Sequence, residues 1–357
     1  MSLHAQSLLN ARGNDAGPGS VSEIHLKHLL ALNLRKLEGS ELLFAPRSYV
    51  LQEGPCFDEE AGRFVVDFKV SHALALIQHV AGVVRQPAHS QSSDAPGSRI
   101  PEGSWGRALP DIDWEPGPGA PSAPAHVNAV PAALTVVQRA AQVPPHAWLS
   151  ELTIRDEEWA AIRSFDTRYS VLEAGREQVQ ACQTMLDTAP LHFQLPLLRH
   201  NHWALKPSCG QFGRGILLID RLPTRPRQLL RWAASVGRGG QKGSKDLAQG
   251  CVLQKLVECP HLIRKAMLES FSSFEGIPRV QQGLEDASLF KYNLRMIVLA
   301  TLRTPCRIWV YSQGFISLAL SKFTDDLHPL SQITNLRQGP GNDCQRRWSL
   351  EDFDMCL

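Results

Sequence analysis

Between His202 and Ile216 the chain reads HWALKPSCGQFGRGI, a cation followed by closely spaced glycines. Trp203 to Lys206 has the pattern of a short buried strand ending in a positive charge. Gly210, Gly213 and Gly215 then let backbone amides approach an anion closely. Ile216 to Ile219 supplies a second apolar strand. A lysine beside such a turn suits the phosphates of a nucleotide. The arrangement is not the Walker type, because no GKS or GKT is present and no helix opens after the turn. A glycine hairpin without a ligand is the plain alternative.

Rival chemistries find little support. His200 and His202 flank the lysine strand, but two histidines without a third ligand make a poor zinc site. Cys209 lies within the glycine turn, where a nearby lysine would lower its pKa and favour alkylation. The eight cysteines include no CxxC pair, which suits reduced thiols in the cytosol. Neither GxSxG nor HExxH occurs.

The elements that must position Lys206 follow from periodicity. Ser22 to Leu37 is expected to be a helix capped by Ser22, with Ile24, Leu29, Leu30, Leu34 and Leu37 on one face and Gly39 ending it. A second helix is expected over Val70 to Val84. A third opens at Thr153 with Asp156, Glu157 and Glu158 in its first turn, where they favour the positive end of the dipole. A fourth runs from Val171 to Leu186. From Trp203 onward short apolar strands alternate with helical patterns, giving an α+β class. Residues 86 to 131, including PGPGAPSAPA, are too poor in apolar surface to order themselves and are expected to be a disordered insertion. Arg238 to Lys245 reads as a mobile basic loop. With 43% apolar residues the chain can fill a sizeable core. A net charge of +2 argues against wholesale nucleic-acid binding, and no apolar run reaches the length of about 20 residues that spans a bilayer.

Beyond the glycine turn, three further blocks fall in order. Cys251-Val-Leu-Gln254-Lys255-Leu256-Val257 is followed by Pro260-His-Leu-Ile263. Phe290-Lys291-Tyr292-Asn293-Leu294-Arg295 runs into the apolar stretch Met296 to Thr301, and Ser331-Gln332-Ile333-Thr334-Asn335 comes last. With Lys206, Pro207, Gly213, Arg214, Gly215 and Ile216, these blocks resemble the tubulin-tyrosine-ligase-like family of ATP-grasp ligases. Within it, Phe44-Ala-Pro46-Arg47-Ser-Tyr49, Val66-Asp67-Phe68, Glu157-Glu158-Trp159 and Trp348-Ser349 to Phe353 resemble blocks of the tubulin glycylases.

The resemblance implies roles. Lys206 and Arg295 would hold phosphate charge during transfer to a carboxylate and are the catalytic candidates. Lys206, Gly213, Arg214, Gly215 and Ile216 would cradle the phosphates. Gln254, Lys255 and Leu256 would lie on a hinge reading the adenine edge, and Lys291, Asn293, Thr334 and Asn335 would complete the nucleotide set. Asn293 stands where the family has aspartate, so size and hydrogen bonding are kept and the charge is lost. Gln332 replaces a histidine, and Gln211 and Phe212 replace serine and arginine. The family's magnesium ligands, an aspartate and then E-x-N, come later than the last block. Leu357 is reached first, so the fold is expected to be an ATP-grasp-like ligase incomplete at its C-terminus, with no metal ligands within this chain. Glu351, Asp352 and Asp354 are expected to form a solvated helix start.

The expected organisation is a disordered terminus over 1–20, an α/β region over 21–85, the insertion over 86–131, a helical region over 132–200 and a nucleotide-binding region over 201–357. The implied activity uses ATP and Mg2+ to add glycine, or else glutamate, to glutamate side chains in the acidic tails of tubulin. Two other readings are a silent microtubule-associated module of the same fold and a small-molecule ATP-grasp ligase. The expected setting is a cytoplasmic monomer on the cytoskeleton, in cilia and axonemes, with no nucleic-acid or membrane partner. Arg221, Arg225, Arg227 and Arg231 could face the acidic tail.

Overall fold

In the computed structural model, the described residues are 46–82, 112–115, 123–165, 175–190, 198, 200–208, 215–237, 250–264, 288–301, 307–311, 314–325, 327–334 and 347–349. Those up to Cys259 form one compact unit, and those from Pro260 onward form another. The expected helix over 22–37, the basic loop 238–245 and residues 350–357 lie outside the described residues.

The first unit begins with strand β1 (Ser48–Leu51) and helix α1 (Phe57–Val80). Asp58, Glu59 and Glu60 occupy the first turn of α1, where carboxylates complement the exposed amides. Gly82 closes it in the left-handed region at φ 69°, donating its N–H to the His79 carbonyl. The helix therefore starts well before the expected Val70. Phe57, Ala61, Phe64 and Phe68 continue the three-to-four spacing of one buried face, and all are buried.

Helix α2 (Ala123–Ala141) packs across α1. Its first turns lie in the segment expected to lack order, and so does Ile112 to Glu115. There Trp114 bridges Pro223, and the Glu115 carboxylate accepts the Trp159 indole N–H at 2.7 Å. Composition averaged over 86–131 hides these apolar residues, which gain order from distant partners. Pro131 sits inside α2 and removes one helical hydrogen bond. Pro131→Ala is expected to stabilise the chain by about 1–2 kcal/mol after allowing for the freer unfolded chain; a urea midpoint that falls would refute this.

Helix α3 (Trp148–Glu151) leads to α4 (Asp156–Arg163) and, further on, α5 (Arg176–Thr188). The third helix thus starts at Asp156 and not at Thr153. Arg155 is still extended, and its N–H is taken by Glu158 Oε2 at 2.9 Å. Glu158 also accepts Arg139 at 2.6 Å and Arg155 at 2.8 Å. Burial works against its ionisation, yet these donors hold the carboxyl at about 2.

Strands β2 (Trp203–Pro207) and β3 (Leu217–Ile219), helix α6 (Arg227–Gly237) and strand β4 (Cys251–Lys255) complete the unit. The sheet order is β1-β4-β2-β3, and every pairing is antiparallel. Leu51, Trp203, Leu205, Cys251 and Leu253 belong to the helix-covered core. Trp203 meets the Phe64 ring edge-on at 5.2 Å, a favourable aromatic geometry. Buried Asp67 ties β1 to α1 by accepting Tyr49 at 2.7 Å, Ser71 at 3.0 Å and Arg47 at 2.5 Å.

In the second unit the strands are β5 (Leu262–Arg264), β6 (Leu289–Arg295), β7 (Val298–Thr301), β8 (Arg307–Val310), β9 (Phe315–Leu318) and β10 (Arg347–Ser349). A helical turn α7 (Pro329–Gln332) lies between β9 and β10. One antiparallel sheet has the order β10-β9-β6-β5, and β7 and β8 pair as a separate hairpin. Ile263, Ile316 and Leu318 form its small core, with Phe290 and Tyr292 packed against it. Val298, Leu299, Trp309 and Val310 on the hairpin are exposed. Among the described residues no helix is long and apolar enough to cross a membrane.

Candidate functional site

Alternation along β2 and β4 divides their side chains between two faces. Register places Ser48 opposite Gln254 and Gln254 opposite Ala204, with Lys206 opposite Val252 in the neighbouring row. Lys206 and Gln254 are therefore diagonal neighbours on one face, a spacing that long side chains span. The half-buried Lys206 ammonium donates to Gln254 Oε1, and the Gln254 amide donates to Ser48 Oγ at 3.1 Å. Just beyond Lys206, the Ser208 N–H is taken by the Gly250 carbonyl at 3.1 Å. Gly215 re-enters at φ 69°, a conformation that costs an L side chain but not glycine. Ile216 follows it, half-buried. Cys209, Gly213 and Arg214 lie outside the described residues.

Lys255 departs from its expected role. Its side chain lies on the core face, with the ammonium 5.5 Å from the Trp203 ring centroid. There it pairs with buried Glu258 and donates to the His202 carbonyl at 2.9 Å. Its own N–H goes to the Arg47 carbonyl, and that of Leu256 to the His202 carbonyl. These two amide donors thus serve the sheet and are not free to read an adenine edge; a nucleotide role for either residue falls to its other groups.

Glu258 organises the entry to β2. One oxygen accepts the His202 N–H at 2.5 Å and the Lys255 ammonium, and the other accepts the His200 N–H at 2.7 Å and the Asn201 N–H at 3.2 Å. Asn201, at φ 62°, makes the bend. Burial opposes charge on Glu258, but Lys255, His202 and the backbone N–H of His200 outweigh it and hold the carboxyl at about 2. Burial also lowers the Lys255 pKa, with Glu258 opposing. Lys255 stays the cationic half of the pair, because a carboxylate in hydrogen-bond contact offsets its lost hydration. The His202 ring is 2% exposed, and its Nε2 has no hydrogen-bond partner. Burial pushes its pKa down to about 4, against Glu258 and with help from His200 and Lys255.

In the second unit Lys291, Asn293 and Arg295 alternate along β6 and share a face. Buried Lys291 donates to Gln332 Oε1 at 3.2 Å, and the Gln332 amide donates to the Thr324 carbonyl at 2.7 Å. Gln332 thus works as a brace, both ends of its amide being engaged. Asn293 Oδ1 is buried and unpartnered, which for an acceptor costs about 1–3 kcal/mol unless a donor arrives. Arg295 is exposed over the Phe315 ring at 5.9 Å, and Thr334 is half-buried. Asn335 lies outside the described residues.

Lys206 and the glycine that follows its turn suit phosphate oxygens. Among the described residues no group of three His, Cys, Asp or Glu side chains could hold a metal ion. The cationic groups present suit a nucleotide phosphate. Sequence reasoning missed Glu258 and Ser48. A lysine at a strand end followed three residues later by glutamate was the available signal for the first.

A chain of helices and antiparallel sheets that carries Lys206 at a strand end, and a Lys-x-Asn-x-Arg row on a second sheet, has groups suited to phosphate oxygens. The family model described as the tubulin-tyrosine ligase family matches residues 137–338, more than half of the chain. The chain belongs to the tubulin-tyrosine ligase family. Members of that family are carboxylate-amine ligases that use ATP and Mg2+. No curated protein matches the chain.

Proposed function

We propose that this chain is an ATP-dependent ligase joining an amino acid, glycine in the first place, to glutamate side chains in acidic tubulin tails. The observation that carries the reading is Lys206 beside Gln254 at the mouth of the glycine turn, in a chain of the tubulin-tyrosine ligase family. The γ-phosphoryl group of ATP passes to the substrate carboxylate, giving ADP and an acyl phosphate. The amine nitrogen then attacks the acyl carbon, the bond from carbon to phosphate oxygen breaks, and an amide and inorganic phosphate result. Lys206 and Arg295 hold phosphate charge in this scheme. Glycylase-like blocks support glycine over glutamate as the amine. An ATP-grasp-like fold, with its nucleotide-binding region over 201–357, belongs to the same reading, as does a place on the cytoskeleton of the cytoplasm and the cilium.

The test begins with binding. Lys206→Met is expected to weaken a fluorescent ATP analogue about tenfold, the size of one lost charge-assisted contact, at an unchanged urea midpoint. Undiminished affinity would remove Lys206 from the site. Magnesium-dependent transfer of labelled glycine to tubulin by the unaltered chain then tests the reaction.

The second reading is a silent module of the same family, bound to microtubules. It is favoured by Asn293, whose amide stands in the Lys-x-Asn-x-Arg row where the resemblance places a carboxylate, and by the engagement of Gln332 as a brace. Nucleotide binding without transfer of glycine or glutamate is its expected result.

A further inference from the structure

Strand β1 lies outside residues 137–338, the stretch that the family model matches, yet it forms one edge of the sheet that carries Lys206. Tyr49 takes the core face of that sheet, its ring centroid 5.9 Å from that of Trp203. Alternation therefore sends Ser48 to the opposite face, directly across from Gln254. Ser48, Gln254 and Lys206 are all half-buried there.

Three hydrogen bonds run one way along this row. The Ser48 hydroxyl donates to the Pro46 carbonyl at 2.9 Å, Gln254 Nε2 donates to Ser48 Oγ at 3.1 Å, and the Lys206 ammonium donates to Gln254 Oε1. A hydroxyl has a single proton to give. With that proton directed at Pro46, Ser48 Oγ meets Gln254 as an acceptor, so the NH2 end of the amide must face Ser48. The oxygen end then faces Lys206. A reversed amide would set NH2 against the ammonium, donor against donor, and its oxygen against Ser48 Oγ, acceptor against acceptor. The acceptor offered to Lys206 is also neutral. It fixes the ammonium without cancelling its charge, as a carboxylate would.

We infer that Ser48 is a positioning residue for Lys206: its hydroxyl, pinned by the Pro46 carbonyl, orients the Gln254 amide so that the amide oxygen holds the ammonium in place. That this ammonium serves a phosphate rests on the ATP reading above. A strand outside the matched stretch thus sets the geometry of the site from the edge of the sheet.

The experiment is a double-mutant cycle on binding of the fluorescent ATP analogue by the full chain. Ser48→Ala is expected to weaken binding about threefold to fivefold, less than Lys206→Met does, because the ammonium itself remains. Ser48→Thr keeps the hydroxyl on a residue that suits a strand, and is expected to stay within about twofold of the unaltered chain. In the Lys206→Met background Ser48→Ala is expected to change affinity less than about 1.5-fold, since the two side chains act through one row. Equal losses in the two backgrounds, no loss in either, or a Ser48→Thr chain as weak as Ser48→Ala overturns the proposal. Acetylation of Lys206 in the nucleotide-free chain gives a second readout. A hydrogen bond to the ammonium disfavours the proton loss that acylation requires, so Ser48→Ala is expected to speed labelling at residue 206 about twofold or more. An unchanged rate overturns the proposal. Faster labelling in a chain that binds no nucleotide keeps Ser48 as the residue that positions Lys206 and removes the ATP reading. Nucleotide binding and glycine transfer that are indifferent to Ser48→Ala keep the ATP reading and remove Ser48.

Discussion

Glu258→Ala is expected to destabilise the first unit by about 3–5 kcal/mol, the usual consequence of removing one partner from a buried ion pair. Lys255 and Glu258 are both almost wholly enclosed, at 4% and 6% exposure. Without the carboxylate, Lys255 keeps a buried charge or gives up a proton, and either is costly. The amides of His200, Asn201 and His202 lose their acceptor as well, and they form the bend that feeds β2. Glu258→Gln retains an acceptor but no charge and should fall between the two. Urea unfolding at neutral pH measures the effect, and a loss below about 1 kcal/mol would show that the pair adds little beyond its packing.

The second large effect is set by pH. His202 is held neutral in the folded chain because burial brings its pKa to about 4, whereas the unfolded chain takes up a proton near the ordinary histidine value of about 6.5. The unfolded state therefore binds more protons between these values, and stability falls as pH drops through that window. At pH 5 the loss is about 2 kcal/mol relative to neutrality. The charged groups acting on the ring are Glu258, His200, Lys255 and Asp220. Glu258 and Glu158, both near 2, lose their contributions progressively as pH falls from the ordinary glutamate value of about 4.3 toward 2, mostly below the histidine window. His202→Leu is expected to flatten the profile between pH 6.5 and 5 without loss at pH 7, because Nε2 makes no hydrogen bond to forfeit. A profile just as steep in His202→Leu would assign the proton uptake elsewhere.

Parts of this fold are legible in the sequence because they are written locally. Trp203 to Lys206 and Cys251 to Lys255 declare themselves as strands by short apolar runs. Helix starts are less legible. Phe64 to Phe68 mixes aromatic and β-branched residues that carry no strong helical preference, so the front of α1 depends on packing against Trp203. Order at Trp114 depends on partners more than a hundred positions away in Pro223 and Leu222. In the candidate site, Lys206 and the row on β6 stand out as candidates from their blocks alone. The task of Lys255 was not, since only the alternation of β4 against β2 shows which face its side chain takes. A lysine aimed at a ligand and a lysine closed into a core look alike as letters.

Strand β4 carries a further residue whose position has a practical meaning. Cys251 is fully enclosed opposite Pro207 and Leu51, and burial raises its thiol to about 12. In the closed sheet it offers almost no thiolate to a disulfide reagent. Exposed Cys56 offers no such shelter. Labelling of Cys251 is thus a clock for separation of the strands that present Lys206 and Gln254, and its rate counts how often that face of the protein comes apart.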